Sequence, residues 1–151
     1  MKIASLIIIA ALVSGCATTG DDVNYYVQPQ SNAPKVVFWG EESEDEFFVK
    51  GHETIYVCGI DGAFQDSTSF DKPTYIAFGE RVVTICYLEG GNDAKAQIRT
   101  TFDKERNYQI KLGQHSWTKV NFSVIDKDSG ELVFGPVTVP KQAGDLPVLI
   151  F

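Results

Sequence analysis

Apolar and polar residues alternate along much of the second half of this chain, with a period of two. In residues 107–112, for example, three apolar side chains alternate with three polar ones. Residues 96–102 and 119–124 follow the same alternation. A β-strand places successive side chains on opposite faces, so the pattern predicts three half-buried strands, each with one face toward a core.

Three further segments are apolar at nearly every position, which is typical of strands at the middle of a sheet. They are residues 36–39, 55–58 and 82–87. Glycine and aspartate mark turns between strands, as at Asp61-Gly62, and no segment beyond the N-terminus keeps a helical period. Together these patterns predict an all-β protein, an immunoglobulin-like or transthyretin-like β-sandwich of about seven strands.

The N-terminus has a different pattern, in which Lys2 precedes an apolar run from residue 3 to residue 13. Only Ser5 interrupts the run. A buried core helix should show a polar face every third or fourth residue, and a membrane span needs roughly 20 apolar residues. One cation before about a dozen apolar residues is instead typical of a secretory signal peptide.

The end of the apolar run, Val13-Ser14-Gly15-Cys16, resembles the lipobox of bacterial lipoproteins. The resemblance implies that residues 1–15 are cleaved and that Cys16 carries a covalent lipid, with no other cofactor expected. The acyl chains of such a lipid anchor a protein stably in a membrane, because each buried methylene contributes about 0.8 kcal/mol. Ala17 follows the cysteine in place of the aspartate that resembles an inner-membrane retention signal. We therefore expect an outer-membrane anchor on the periplasmic face, with surface exposure as the alternative.

Composition divides the rest of the chain into two parts. Residues 16–34 are rich in Thr, Gly, Asp, Asn and Pro, which predicts a flexible tether. Residues 35–151 are long enough for one domain with one core.

The chain has 13 Lys and Arg against 20 Asp and Glu, for a net charge of −7. This acidity argues against nucleic acid and favours a cationic partner, so we expect an envelope protein partner besides the membrane that holds the lipid.

Two cysteines remain in the predicted domain, Cys58 and Cys86. In an oxidising periplasm an even pair predicts a disulfide, which stabilises by roughly 3 to 4 kcal/mol in the chain-entropy model. Two separate buried thiols are the alternative, since both cysteines lie in apolar runs.

A second resemblance concerns the order of strands and turns in residues 36–135. The strand at residues 55–57, the Ile60-Asp61-Gly62 turn and the strand pattern of residues 73–85 are similar in order to PEGA-type modules and related small envelope-lipoprotein domains. Phe78-Gly79 stands where those modules usually have a Pro-Gly turn. The resemblance implies a transthyretin-like or immunoglobulin-like sandwich with a binding or structural role.

Motifs for catalysis or metal binding are sparse. The chain has no Gly-x-Ser-x-Gly elbow, no His-Glu-x-x-His and no phosphate-binding glycine loop. His52 and His115 are its two histidines and lie far apart in the sequence. A disulfide would also consume the thiols that a Cys-His pair needs. We therefore predict no catalytic residues, no metal site and no enzymatic activity.

The densest group of charges is the acidic segment, whose five carboxylates are Glu41, Glu42, Glu44, Asp45 and Glu46. Such a run repels itself and is typical of a solvated loop. The alternative is a contact for a divalent cation or for a basic partner, because hard cations bind clustered oxygens.

The predicted function is that of a lipid-anchored envelope module that binds a partner or supports an assembly without enzymatic chemistry. An inhibitor, immunity or exclusion lipoprotein that binds an external protein through the acidic segment is the first alternative. A periplasmic hydrolase is the second.

Overall fold

Two β-sheets pack face to face in this protein. The computed structural model describes residues 23–44, 52–65, 72–141 and 148–150. No helix occurs among these residues, so none is long and apolar enough to cross a membrane. The predicted all-β sandwich is therefore confirmed. Cys16, Asp45 and Glu46 lie outside the described residues.

The described residues contain eleven strands rather than about seven. Seven strands have five or more residues: β1 (Lys35–Trp39), β3 (His52–Ile60), β6 (Gly79–Glu89), β7 (Asn92–Phe102), β8 (Asn107–Leu112), β9 (Lys119–Asp126) and β10 (Leu132–Pro140). The other four are short: β2 (Glu41–Glu44), β4 (Ala63–Phe64), β5 (Thr74–Ala77) and β11 (Val148–Ile150). Segments of two to four residues carry too little alternation to be recognised from a period, which explains the lower predicted number.

The strands divide between the sheets in an order that differs from their order in the chain. One sheet has the order β10-β9-β8-β1-β5, and the other has the order β11-β7-β6-β3-β2, with β4 also paired to β3. Most neighbours are antiparallel, but β1 runs parallel to β8, and β11 runs parallel to β7. β1 and β8 are far apart in sequence, and their pairing joins β1 and β5 to the other three strands of the first sheet.

The core lies between the sheets and is built by alternate residues of the long strands. On β9, Val120, Phe122 and Val124 are buried, whereas the residues between them are partly exposed. β7 and β8 alternate in the same way, which confirms the predicted half-buried strands. Each buried side chain of this size contributes about 1.5–3 kcal/mol, so burial on the alternating faces is the main favourable contribution to folding.

Cys58 and Cys86 form a disulfide between neighbouring strands, as predicted, with their Cα atoms 5.7 Å apart. Cys86 lies opposite Tyr56 in the β3–β6 ladder, and the register shifts between Val57 and Gly59. Cys58 is therefore the extra residue of a β-bulge. Cys58 is two residues after Tyr56, which pairs with Cys86, so both cysteines project from the same face of the ladder.

Part of the predicted tether is attached to the sandwich. Tyr25 forms a parallel bridge with Phe64, and two backbone hydrogen bonds of 2.7 Å join Phe64 to Asn24 and Tyr26. The Tyr26 hydroxyl accepts a hydrogen bond from the backbone N–H of Ala77 at 3.2 Å, and its ring packs against the core. The domain thus begins before residue 35.

Candidate functional site

A group of polar side chains lies at one end of the sandwich, where it contacts both sheets. The polar cluster comprises Glu53, Tyr87, Glu89, His115 and Lys141. Glu53 on β3 is directly opposite Glu89 on β6, and Tyr87 is two residues before Glu89, on the same face of the strand. His115 lies in the β8–β9 connection, and Lys141 follows β10.

The backbone fixes the two residues that come from outside the strands. In the β8–β9 connection, the N–H of Gly113 donates to the carbonyl of Asn121 at 2.8 Å, and the N–H of Ser116 donates to the carbonyl of Lys119 at 2.8 Å. The N–H of Lys141 donates to the carbonyl of Thr118, also at 2.8 Å. These bonds hold the β8–β9 connection, called the histidine loop because it carries His115, and the end of β10 together beside Glu53 and Glu89.

Two close contacts, the second of them an ion pair, organise the polar cluster. His115 Nε2 lies 2.7 Å from Glu53 Oε1. Lys141 Nζ contacts Glu89 Oε2 and lies 5.0 Å from the centre of the Tyr87 ring. The side chains of Glu53 and Lys141 are each only 3% exposed. A charge buried to this extent is strongly destabilising unless it is paired, so the Glu89 carboxylate stabilises the buried ammonium group of Lys141.

Burial and neighbouring charge move the pKa values of the cluster in different directions. Burial raises the pKa of the Glu53 carboxyl, and the nearby His115 partly offsets this. Burial also opposes ionisation of Glu89, but the hydrogen bond and positive charge of Lys141 outweigh it and lower the pKa of Glu89. Burial and the two carboxylates raise the pKa of Tyr87, so its hydroxyl stays protonated and is a hydrogen-bond donor.

Two buried atoms of the cluster lack a hydrogen bond. They are Glu53 Oε1 and the Tyr87 hydroxyl, both in residues that are at most 2% exposed. His115 Nε2 is only 2.7 Å from Glu53 Oε1, but the two are not in a hydrogen-bonding geometry. Buried polar atoms without a partner are uncommon, and each one calls for a specific explanation.

The ligand atoms of Glu53, Glu89 and His115 all lie within 4.8 Å of one another. Two carboxylates and one imidazole are a donor set that divalent transition metals bind. The sequence indicated no such group, because its members come from three separate segments and the two histidines are far apart in the chain. Only Glu53, an acidic residue inside an apolar strand, is a local signal of it.

The described part of the acidic segment is a strand rather than a loop. The backbone of β2, from Glu41 to Glu44, pairs with β3. The Glu41 carboxylate accepts hydrogen bonds from the Leu112 N–H at 2.5 Å and from Lys111 Nζ at 2.7 Å. Glu41 therefore ties the edge of one sheet to β8 of the other. Glu42 is exposed.

The other features are an apolar cavity and a row of exposed apolar side chains. A cavity of about 250 Å³ opens between β7 and β10 and is lined by Phe38, Phe102 and Phe134 among others. It lies toward the end of β7, whereas the polar cluster lies beside its start. The exposed row consists of Tyr25, Val27 and Phe64, which are 53%, 86% and 60% exposed.

The comparisons with known proteins found no matching family model, no matching curated protein and no matching solved structure. The chain's own residues and contacts are therefore the grounds for assigning it a function.

Proposed function

We propose that this protein is a lipid-anchored lipoprotein of the bacterial cell envelope that acts as a non-enzymatic binding or structural accessory module. The apolar run of residues 3–13 and the Cys16 that follows it support the anchor. A lipid on Cys16 would hold the domain at the outer membrane, on the periplasmic face. The sandwich would then present its surface to envelope proteins close to the bilayer.

The observation that carries the binding role is the exposed row of Tyr25, Val27 and Phe64. The row is created by backbone geometry, because Tyr26 points inward to the core while its neighbour Tyr25 points outward. The Tyr25–Phe64 bridge then places two exposed aromatic rings on adjacent segments. Exposed apolar side chains that are grouped in this way mark interaction surfaces in soluble domains.

The size of the row indicates how much of an interface it can supply. Full burial of one large apolar side chain contributes about 1.5–3 kcal/mol, and these three are already partly buried, so together they can contribute roughly 3–6 kcal/mol. Association costs about 4–15 kcal/mol in lost freedom, so the row would need further contacts around it. Confinement to the membrane by the lipid would reduce that cost. The acidic charge of the chain favours a partner with basic groups around its apolar contact.

The alternatives receive less support from the described residues. An inhibitor or immunity lipoprotein would use the acidic segment, but Glu41 is already engaged within the domain by Lys111 and Leu112. A hydrolase with a cysteine nucleophile would need a free thiol, and Cys58 and Cys86 are joined to each other.

The proposal is tested by photocrosslinking in cells of the source bacterium. A photoreactive residue at Val27 or Phe64 should capture one envelope protein reproducibly. The matched control is the same photoreactive residue at Asn92, which is exposed at the start of β7. Asn92 pairs with Glu89, at the end of the sheet away from the β3–β4 turn beside Phe64, and should not capture that protein. Capture of the same proteins from all three positions, or of none, would contradict the binding role.

The anchor is tested separately by cell fractionation. The Cys16→Ser variant should leave the membrane pellet and appear in the soluble fraction, since the acyl chains supply the membrane affinity. A variant that stays in the pellet would show that another segment holds the protein there.

A further inference from the structure

We propose that Glu53, Glu89 and His115 form a binding site for a divalent transition-metal ion, with Zn²⁺ as the best match. The site is independent of the lipid anchor and of the exposed row. Zn²⁺ binds imidazole nitrogen and carboxylate oxygen at about 2.0–2.2 Å, which places tetrahedral ligands about 3.3 Å apart. The three ligand atoms lie within 4.8 Å of one another, so side-chain movements on the order of 1 Å would complete the geometry.

The unpaired atoms of the cluster are the second observation that favours a metal ion. Glu53 Oε1 and the Tyr87 hydroxyl are buried, and neither has a hydrogen-bond partner in good geometry. A cation between the carboxylates would supply the missing partner of Glu53 Oε1. The Tyr87 hydroxyl, which lies beside both carboxylates, would then be free to donate to the glutamate oxygen that does not bind the metal.

The ligands are held on rigid elements with access to solvent on one side. Glu53 and Glu89 are opposite one another in a central ladder, which fixes the spacing of their carboxylates. His115 comes from a loop that is tied down at both ends, and its side chain is 32% exposed. The ion can enter on the histidine side, where a water molecule would fill the fourth position.

The imidazole decides the type of metal. Mg²⁺ and Ca²⁺ prefer sites made of oxygen atoms only, whereas Zn²⁺ binds mixed nitrogen and oxygen ligands well. A site with His115 should therefore discriminate strongly in favour of Zn²⁺. This also distinguishes the site from the general attraction of an acidic protein for divalent cations.

Lys141 is the competing cation of the site. Its ammonium group contacts Glu89 Oε2 and is almost fully buried. A metal ion must share Glu89 with this ammonium group or move it aside, and the two positive charges repel one another. Replacement of Lys141 by methionine, which has a similar shape and no charge, should therefore increase the affinity for Zn²⁺.

The test is calorimetric titration of the metal-free full chain, in detergent micelles, with ZnCl₂. We expect one Zn²⁺ per chain and no comparable signal with MgCl₂ or CaCl₂. Because changes in residues that merely support a metal ligand cost about 10–100-fold in affinity, loss of a ligand in His115→Ala or Glu53→Gln should cost at least about tenfold. Lys141→Met should bind Zn²⁺ more tightly than the wild type.

Two matched controls separate the site from nonspecific binding. His52→Ala removes the other histidine, and Glu80→Gln removes an exposed carboxylate far from the cluster, so both should bind Zn²⁺ as the wild type does. Melting curves without metal show whether each variant is folded, and a folded variant that has lost Zn²⁺ binding supports the site. Absence of Zn²⁺ binding at millimolar concentration, or equal binding by His115→Ala and His52→Ala, would overturn the proposal.

Discussion

Replacing Cys58 and Cys86 together by alanine should lower the free energy of unfolding by about 3.5 kcal/mol. The two cysteines are 28 residues apart in the sequence. The chain-entropy model for a loop of that length gives about 3.6 kcal/mol at 25 °C, because the crosslink restricts the unfolded chain. For a chain of this size each kcal/mol corresponds to about 2–4 °C, so the melting temperature should fall by about 7–14 °C.

The measurement is guanidinium unfolding followed by tryptophan fluorescence, since Trp39 and Trp117 are the two tryptophans. The slope of the unfolding free energy against denaturant should be larger in the variant, because its unfolded state exposes more surface. The wild type after reduction is the matched control. It keeps both sulfur atoms and loses only the crosslink, so it should unfold close to the double variant.

Comparison of the three samples separates the crosslink from packing. If the oxidised and reduced wild type differ by less than about 1 kcal/mol, the restriction of the unfolded chain is not what stabilises this domain, and the entropic reasoning is refuted. If the reduced wild type is stable and only the alanine variant is weak, the sulfur atoms act through their packing against neighbouring side chains.

Two further predictions concern individual carboxylates. Glu41→Gln should destabilise the fold by about 1.5 kcal/mol, because it weakens the charge-assisted hydrogen bond from the Leu112 N–H. The control, Glu80→Gln, removes an exposed carboxylate and should change stability by less than about 0.5 kcal/mol. Urea unfolding of both variants measures the difference. The hydrogen bond from the Ser129 N–H lowers the pKa of Asp126 in the folded protein. The ionised Asp126 therefore stabilises the fold above the pKa that it has in the unfolded chain, and this stabilisation is lost as the pH falls through its pKa in the folded protein. The wild type should therefore lose stability more steeply than Asp126→Asn between about pH 5 and pH 3, and parallel pH profiles would contradict this.

The sequence predicted features that depend on local patterns. The burial of alternate residues on β7, β8 and β9 follows from a period of two, which sheet geometry imposes directly. The Asp61-Gly62 turn is also local: both residues adopt positive φ, of 52° and 80°, as a two-residue hairpin connection requires. The Cys58–Cys86 disulfide could be predicted because only two cysteines remained in the domain.

The polar cluster could not be predicted, because it depends on how the strands are arranged. Glu53 and Glu89 meet only because β3 and β6 are neighbours in a particular register. A shift of that ladder by one residue would turn one of the two carboxylates to the other face. Lys141 reaches the cluster because β10 ends beside the histidine loop. Tertiary pairing of this kind leaves no periodic trace in the sequence.

The attachment of Asn24 and Tyr26 to Phe64 has a consequence for the reach of the domain. Under the proposed lipid anchor at Cys16, a tether of residues 16–34 would let the sandwich move through a wide zone above the bilayer. With residue 24 fixed to the sandwich, only eight peptide links separate it from Cys16, and even a fully extended chain of that length spans no more than about 29 Å. Under the proposed anchor, a domain with so short a connecting segment would meet only those partners whose contact surface lies within a few nanometres of the lipid headgroups. The exposed Tyr25 and Val27 directly follow residue 24, where this connecting segment ends, so such partners would contact these side chains first.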